Sequence, residues 1–304
     1  MKILIVGAGG IGGYFGAKLL LAGADITYLL REKRQKLIQD QGLTIETPKG
    51  NFTIHPKTVL ANQLEPIYDL IILACKAFDL DDSLKSIAKA SSNGVILPFL
   101  NGLSHLEILD GHFGRERVMG GVAHIAATIT PAGSVKQLND LNRLTVGARS
   151  PAHEPLAKAF FSICTKTDFD HAYSDNIEQS LWDKWVFLAA LAGITTICRG
   201  SIGEIVATPY GRELSRGMYI ECCSIADSLG HLISDRAQTT ALELLTEDGS
   251  HFTSSMLRDL LAAKRSEYGH ILGALIILAL DAKIDCPLLK IAHTHMAVES
   301  NSLG

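Results

Sequence analysis

The sequence predicts an α/β protein with an N-terminal doubly wound domain, built on a parallel sheet, and a second, all-helical C-terminal domain. Three observations carry this reading. A short apolar strand at residues 3–6 runs directly into a glycine turn and an apolar helix at 11–22. Nearly uninterrupted apolar runs at 69–74 and 95–100 have the pattern of strands buried on both faces of a parallel sheet. Beyond about residue 170 the β signals stop and apolar residues recur at helical spacing.

Taken in order, Gly23 is the stop signal of the first helix, and 25–30 forms the second strand. The segments 43–47 and 52–55 flank Pro48-Lys49-Gly50-Asn51, a turn signal that predicts a hairpin inserted before the sheet resumes. The runs 69–74 and 95–100 both end in polar residues. Open α/β sheets bind ligands outside the carboxyl ends of their strands, which puts Lys76 and Asn101-Gly102 in ligand-facing positions. Asp175-Asn176-Ile177-Glu178 resembles a capping box with Asp175 as the cap. From there Ile177, Leu181, Trp185, Leu188 and Ala192 mark a long helix. Helical stretches at 211–229, 237–245, 255–282 and 288–298 complete the second domain. The expected division is a nucleotide-binding domain over 1–172 and a helical substrate and catalytic domain over 173–304.

The bulk numbers narrow the class. A chain of 304 residues with 47% hydrophobic and 20% charged residues and a net charge of −4 has no basic excess for nucleic acid. Its six cysteines form no CxxC pair and read as reduced, buried thiols. The first residues run straight into a strand and a glycine turn, with no secretory leader pattern, so the expected location is cytoplasmic. The apolar run 271–280 falls short of the roughly 20 residues that cross a bilayer, and no membrane partner is expected. The eleven histidines are scattered, and His293 and His295 point to different helix faces. Asp79, Asp81 and Asp82 read as acidic charge at a helix N-terminus, and no metal site is expected.

Gly7-Ala8-Gly9-Gly10-Ile11-Gly12 is a GxGxxG between a strand and a helix. Gly7 permits the tight turn, Gly9 a close approach of backbone to pyrophosphate, and Gly12 close packing of helix on strand, with the phosphates at the helix N-terminus. This makes the first domain Rossmann-type and implies a dinucleotide. About 20 residues past such glycines a carboxylate grips the 2′-hydroxyl of NAD; here Arg31 stands there, followed by Glu32. A guanidinium suits the 2′-phosphate of NADP, the other reading being a solvated arginine. Lys76 is read as a phosphate or adenosine contact against a solvated loop lysine, and Asn101 as a ligand-facing amide against a plain turn. Lys184, close to Trp182 and Trp185 on the long helix, is by physics alone more often a solvated lysine than a catalytic one.

These residues together resemble the ketopantoate reductase (2-dehydropantoate 2-reductase) family over nearly the whole chain. The resemblance runs through the GxGxxG with Arg31, Cys75-Lys76-Ala77-Phe78-Asp79, Asn101-Gly102-Leu103 and Thr130-Pro131-Ala132-Gly133. It continues through Trp182-Asp183-Lys184, the stretch from Thr253 to Asp259, and Ser266-Glu267. It implies NADPH-dependent reduction of the ketone of a 2-oxo acid, with 2-dehydropantoate as the first expected substrate. Lys184 would then be the general acid, Asn101 would orient it or the substrate, and Ser255 and Glu267 would line the pocket. The family usually presents asparagines four and eight residues after the lysine, where this chain has Leu188 and Ala192, and polar residues where it has Gly269 and Leu272. Those departures imply the alternative of a relative that reduces a more apolar 2-oxo acid. An idle NADPH-binding or redox-sensing module is a third reading, opposed by the joint presence of Lys184, Ser255 and Glu267. The expected partners are a small 2-oxo acid and, as an assembly, a homodimer.

Overall fold

Apolar side chains at nearly every position of the segments 2–6 and 70–73 leave those strands no solvent face. The computed structural model, which describes residues 1–301, accordingly places both inside a parallel sheet. They belong to a first compact unit, Met1–Leu100 with His105–Ser180. In chain order it contains β1 (Lys2–Val6), α1 (Gly10–Leu21), β2 (Asp25–Leu29), α2 (Glu32–Gln41), β3 (Leu43–Thr47), β4 (Gly50–Ile54), β5 (Lys57–Val59) and β6 (Leu70–Leu73). There follow α3 (Leu80–Ile87), β7 (Val95–Pro98), α4 (Ser104–Phe113), β8 (Gly120–Ile129), β9 (Val135–Gly147), α5 (Glu154–Cys164) and β10 (Asp170–Tyr173). The parallel sheet has the order β5-β2-β1-β6-β7, so the chain reverses its direction of winding beside β1.

The hairpin expected around Pro48 forms, with Thr47 opposite Gly50, but it joins a second sheet of order β10-β9-β3-β4, in which β8 runs antiparallel to β9. Helix α1 packs on β1 and β2 on one side and on β3, β8 and β9 on the other. This explains why Tyr14, Phe15, Ala17 and Leu19 are all buried: a helix covered all round has no polar face. The second sheet escaped the sequence reading because β8 and β9 alternate too irregularly to announce themselves, and their pairing slips between Ile125 and Ala127.

The second unit contains Asn101–Ser104 and the chain from Leu181 onward. Helix α6 (Ile177–Cys198) leads into α7 (Ile202–Val206), α8 (Gly211–Ser228), α9 (Asp235–Leu245), α10 (Ser255–Leu261), α11 (Ala274–Asp281) and α12 (Pro287–Asn301). Helix α8 packs against α7, α9, α11 and α12, around a core that includes Trp185, Met218, Tyr219, Leu275 and Leu289. Among the described residues α6 alone has the length and apolarity to cross a bilayer, and 67% of its apolar window is buried, as in a helix of the protein interior.

Two local expectations are corrected. The helix expected over 255–282 stops at Leu261, where Ala263 adopts φ +50° and Lys264 N–H donates to the Asp259 carbonyl at 2.8 Å. This left-handed termination normally uses glycine, so alanine there gives no sequence signal. The cap of α6 is Asn176, whose Oδ1 accepts from Gln179 N–H at 3.2 Å, one residue beyond the expected Asp175. The cysteines also divide: Cys164, Cys222 and Cys286 are buried as expected, Cys75 and Cys223 are half-buried, and Cys198 is exposed.

The cap assignment makes a direct prediction. Asn176→Ala should cost about 1 kcal/mol and Asp175→Ala under about 0.5 kcal/mol, read as shifts of the urea unfolding midpoint. Equal losses would return the cap to Asp175.

Candidate functional site

In the parallel sheet Val6 lies in register with Leu29 on one side and Leu73 on the other. The three strands therefore end together, and the residues that follow them open one cleft at the point where the winding reverses. Gly7 takes φ +95°, and its N–H donates to the Leu29 carbonyl at 3.1 Å. A Cβ at Gly12 would lie 2.8 Å from the Cβ of Ala74, whereas one at Gly9 would meet nothing within 4 Å. Gly12 is thus glycine for packing, and the space beside Gly9 lies open for a ligand. Helix α1 begins at Gly10 with Gly9 as its cap, so no side chain covers the first-turn N–H groups. That positive end suits a pyrophosphate. The cleft, about 1070 Å³, is lined by Gly7, Ala8, Gly9, Arg31, Lys76 and Lys85 among others, and these residues fit a dinucleotide.

The structure places Arg31 at the cleft, where it pairs with Asp79 at 3.0 Å while its side chain remains 78% exposed. Exposed pairs of this kind contribute about 0–1 kcal/mol, so Arg31 gives up little on exchanging Asp79 for a phosphate. Lys76 is half-buried and precedes the single turn Ala77–Asp79. Arg34 was missed by the sequence reading. Its guanidinium donates to the Gly133 carbonyl at 2.6 Å and to the Ala8 carbonyl at 3.0 Å, bracing the glycine loop against the turn between β8 and β9. Burial lowers its pKa. A lone arginine on a polar helix carries no periodic signal that would have marked it.

In the helical unit Lys184 Nζ donates to Asn101 Oδ1 at 3.0 Å. Asn101 opens a turn in which Gly102 takes φ +77°. Burial pushes the Lys184 ammonium down to about 8, opposed by the negative charge of Glu267, itself only 6% exposed. The indole of Trp185 donates to the Ile271 carbonyl at 3.0 Å, tying α6 to the π-helical turn Gly269–Gly273 that follows Glu267. Lys184, Asn101 and Glu267 are therefore gathered by one unit.

Ser255 is the half-buried first residue of α10, and its neighbour Ser254 caps that helix, accepting from Leu257 N–H at 3.0 Å. Leu188, one turn beyond Lys184, is half-buried. Ala192 and Leu272 are fully buried in the helical core, where they present no accessible surface to a small molecule. Sequence reasoning also missed His270 and Ser104, joined Nδ1 to Oγ at 2.8 Å, because a single histidine on an apolar stretch looks like any core histidine.

The chain matches the family models described as "Ketopantoate reductase PanE/ApbA" over residues 3–151 and "Ketopantoate reductase PanE/ApbA C terminal" over residues 176–298. It is 31% identical over 297 residues to "Uncharacterized oxidoreductase YkpB" of Bacillus subtilis, covering 97% of this chain and 98% of that one. To the 2-dehydropantoate 2-reductase of Archaeoglobus fulgidus it is 27% identical over 285 residues, or 94% of this chain and 93% of that one. The solved 2-dehydropantoate 2-reductase of Geobacter metallireducens superposes with a TM-score of 0.88 at 26% identity, covering 98% of this chain and 99% of that one. D-mandelate dehydrogenase with NADH and anilino(oxo)acetate gives 0.89 at 22% identity over 100% and 99% of the two chains, a likeness of fold.

The open space at Gly9 generates a test. Gly9→Ala should leave the unfolding midpoint unchanged and weaken nicotinamide dinucleotide binding at least tenfold, measured by titrating the reduced cofactor's fluorescence. Undiminished affinity would place the pyrophosphate elsewhere.

Proposed function

The chain belongs to the ketopantoate reductase family of oxidoreductases, and from that premise we propose that it reduces the ketone of a 2-oxo acid with NADPH, Lys184 serving as the general acid. The observation that carries this reading is the Lys184 ammonium held on Asn101 Oδ1 at 3.0 Å, with its pKa lowered to about 8. A proton donor is most effective when its pKa lies near the working pH. When bound, the nicotinamide supplies the hydride to the ketone carbon. Negative charge then grows on the ketone oxygen, and Lys184 both stabilises it and delivers the proton. Asn101 fixes the direction of the ammonium, and Glu267 favours its charged form. Arg31 supports NADPH over NADH, since its exposed pairing with Asp79 leaves it able to form charge-assisted bonds to a 2′-phosphate.

Family membership supports 2-dehydropantoate as substrate, as relatives of that name suggest. A second reading, a 2-oxo acid with an apolar side chain, is favoured by Leu188 one turn from Lys184. A polar substrate group buried against that side chain without a partner would lose about 1–3 kcal/mol, roughly one to two decades in kcat/KM. Ala192 and Leu272 support the second reading less, being closed into the core.

Four measurements test these assignments. Lys184→Ala should lower kcat by roughly two to four orders of magnitude with NADPH affinity nearly unchanged; a variant at the original rate would remove Lys184 from the chemistry. Because the protonated amine is the acid, the reduction rate should be flat below about pH 8 and fall above it, while oxidation of the product alcohol should rise through the same pH, following the pKa of about 8. NADPH should bind at least tenfold tighter than NADH, and Arg31→Ala should erase most of that preference; equal affinities in the unaltered protein would sink the NADP assignment. In a panel of 2-oxo acids, a hundredfold preference for 2-dehydropantoate rejects the apolar reading. Equal or greater kcat/KM for an unsubstituted branched or aromatic acid rejects 2-dehydropantoate as the dedicated substrate.

A further inference from the structure

Lysine and asparagine side chains rotate freely unless something holds them, and the bond from Lys184 to Asn101 joins one of each. Fixing a lysine costs the rotamer freedom of its whole four-carbon stem. A closed chain of contacts restrains this pair. Lys184 Nζ donates to Asn101 Oδ1, and the turn that begins at Asn101 ends at Ser104, whose Oγ lies 2.8 Å from His270 Nδ1. The next residue, Ile271, accepts from the Trp185 indole at 3.0 Å, and Trp185 adjoins Lys184 on α6. The Asn101 backbone lies near the His270 ring and acts to raise its pKa. The Cδ2–Nε2 edge of that ring lies against the turn, since a Cβ at Gly102 would come within 3.1 Å of His270 Cδ2 and 3.3 Å of Nε2.

We propose that His270 is a positioning residue that braces the turn Asn101–Ser104, bonded at Ser104 and packed against Gly102, so that the Asn101 amide stays directed at Lys184. The proposal rests on the reading of Lys184 as the acid. The backbone brings the imidazole there: the N–H groups of His270 and Ile271 both donate to the Glu267 carbonyl, at 3.0 and 2.9 Å, as the chain enters the π-helical segment Gly269–Gly273. This arrangement places Glu267 near Lys184 and His270 beside the Asn101–Ser104 turn within four residues, and π segments are frequent at functional sites. The chemistry of the ring suits the role. Burial pushes its pKa down, against the pull of Glu267, which favours the neutral imidazole with one donor and one acceptor nitrogen. Such a ring can accept from the Ser104 hydroxyl at Nδ1 while its Nε2 edge packs against Gly102.

The test compares His270→Phe, which keeps a planar ring but no nitrogen, with His270→Asn, which keeps a polar atom near the position of Nδ1. His270→Phe should lower kcat roughly 10- to 100-fold, the scale of a small misplacement of a reacting group, with NADPH Kd unchanged within twofold. His270→Asn should recover at least half of the lost activity. The double variant His270→Phe with Asn101→Ala should be no more than twofold slower than Asn101→Ala alone. A product of the two separate losses would mean that His270 does not act through Asn101. A second readout is independent of turnover. The side-chain amide resonance of Asn101, identified by its loss in Asn101→Ala, should shift in His270→Phe and return in His270→Asn. Should His270→Phe fail to fold, Ser104→Ala must move the same resonance. An unmoved resonance overturns the positioning role whatever the enzyme reduces, whereas a shift in a protein inactive on every 2-oxo acid would reject the reaction and keep the brace.

Discussion

Helix α1 is confined between two sheets, and the first unit is organised around that constraint. Packed on β1 and β2 below and on β3, β8 and β9 above, it has room for a side chain only where the sheets leave one. Tyr28 uses the room left at Gly16 and sends its hydroxyl to the Gly12 carbonyl at 3.2 Å. A Cβ at Gly13 would come within 2.7 Å of Val135. The glycines past the GxGxxG are therefore packing residues of the double-sided sandwich. The same close packing holds the N-terminus of α1 over the ends of β1, β2 and β6, so that anion affinity at that terminus follows from how tightly the helix is seated.

In the helical unit the governing cost is burial of an ammonium. A charged group withdrawn from water needs compensation, and the compensation here is local: one amide oxygen, one carboxylate charge, and a fold that keeps them close. Burial outweighs the Glu267 charge, which is why the pKa falls to about 8. The apolar core around Trp185, Leu272 and Leu275 sets that environment. Ala192 and Leu272 are part of that core, so substitutions there bear on packing first.

Much of the candidate site was legible in sequence because its residues sit at positions with a chemical reason to stand out. The glycine loop follows a strand at the turn where backbone must approach a phosphate, and Arg31 stands one short strand beyond it. Lys184, Asn101 and Glu267 were legible only through resemblance, since a helical lysine and a turn asparagine look like surface residues one at a time. Arg34 and His270 were not legible at all. Each acts by reaching a backbone or hydroxyl group distant in sequence, from Arg34 to Gly133 and from His270 to Ser104, and no local pattern encodes such a reach.

The α/β class, the parallel strands, the dinucleotide loop and the helical second half could be read from the residues alone, because hydrophobic periodicity and glycine spacing are local consequences of what each segment must bury. Tertiary structure alone decided the second sheet, the break after Leu261, the cap at Asn176 and the withdrawal of Ala192 from any accessible wall. It also decided the protonation chemistry of Lys184. Those outcomes depend on which distant groups arrive beside a residue, and the free energy of a charge, a left-handed alanine or a buried methyl is fixed by that surrounding rather than by its neighbours along the chain.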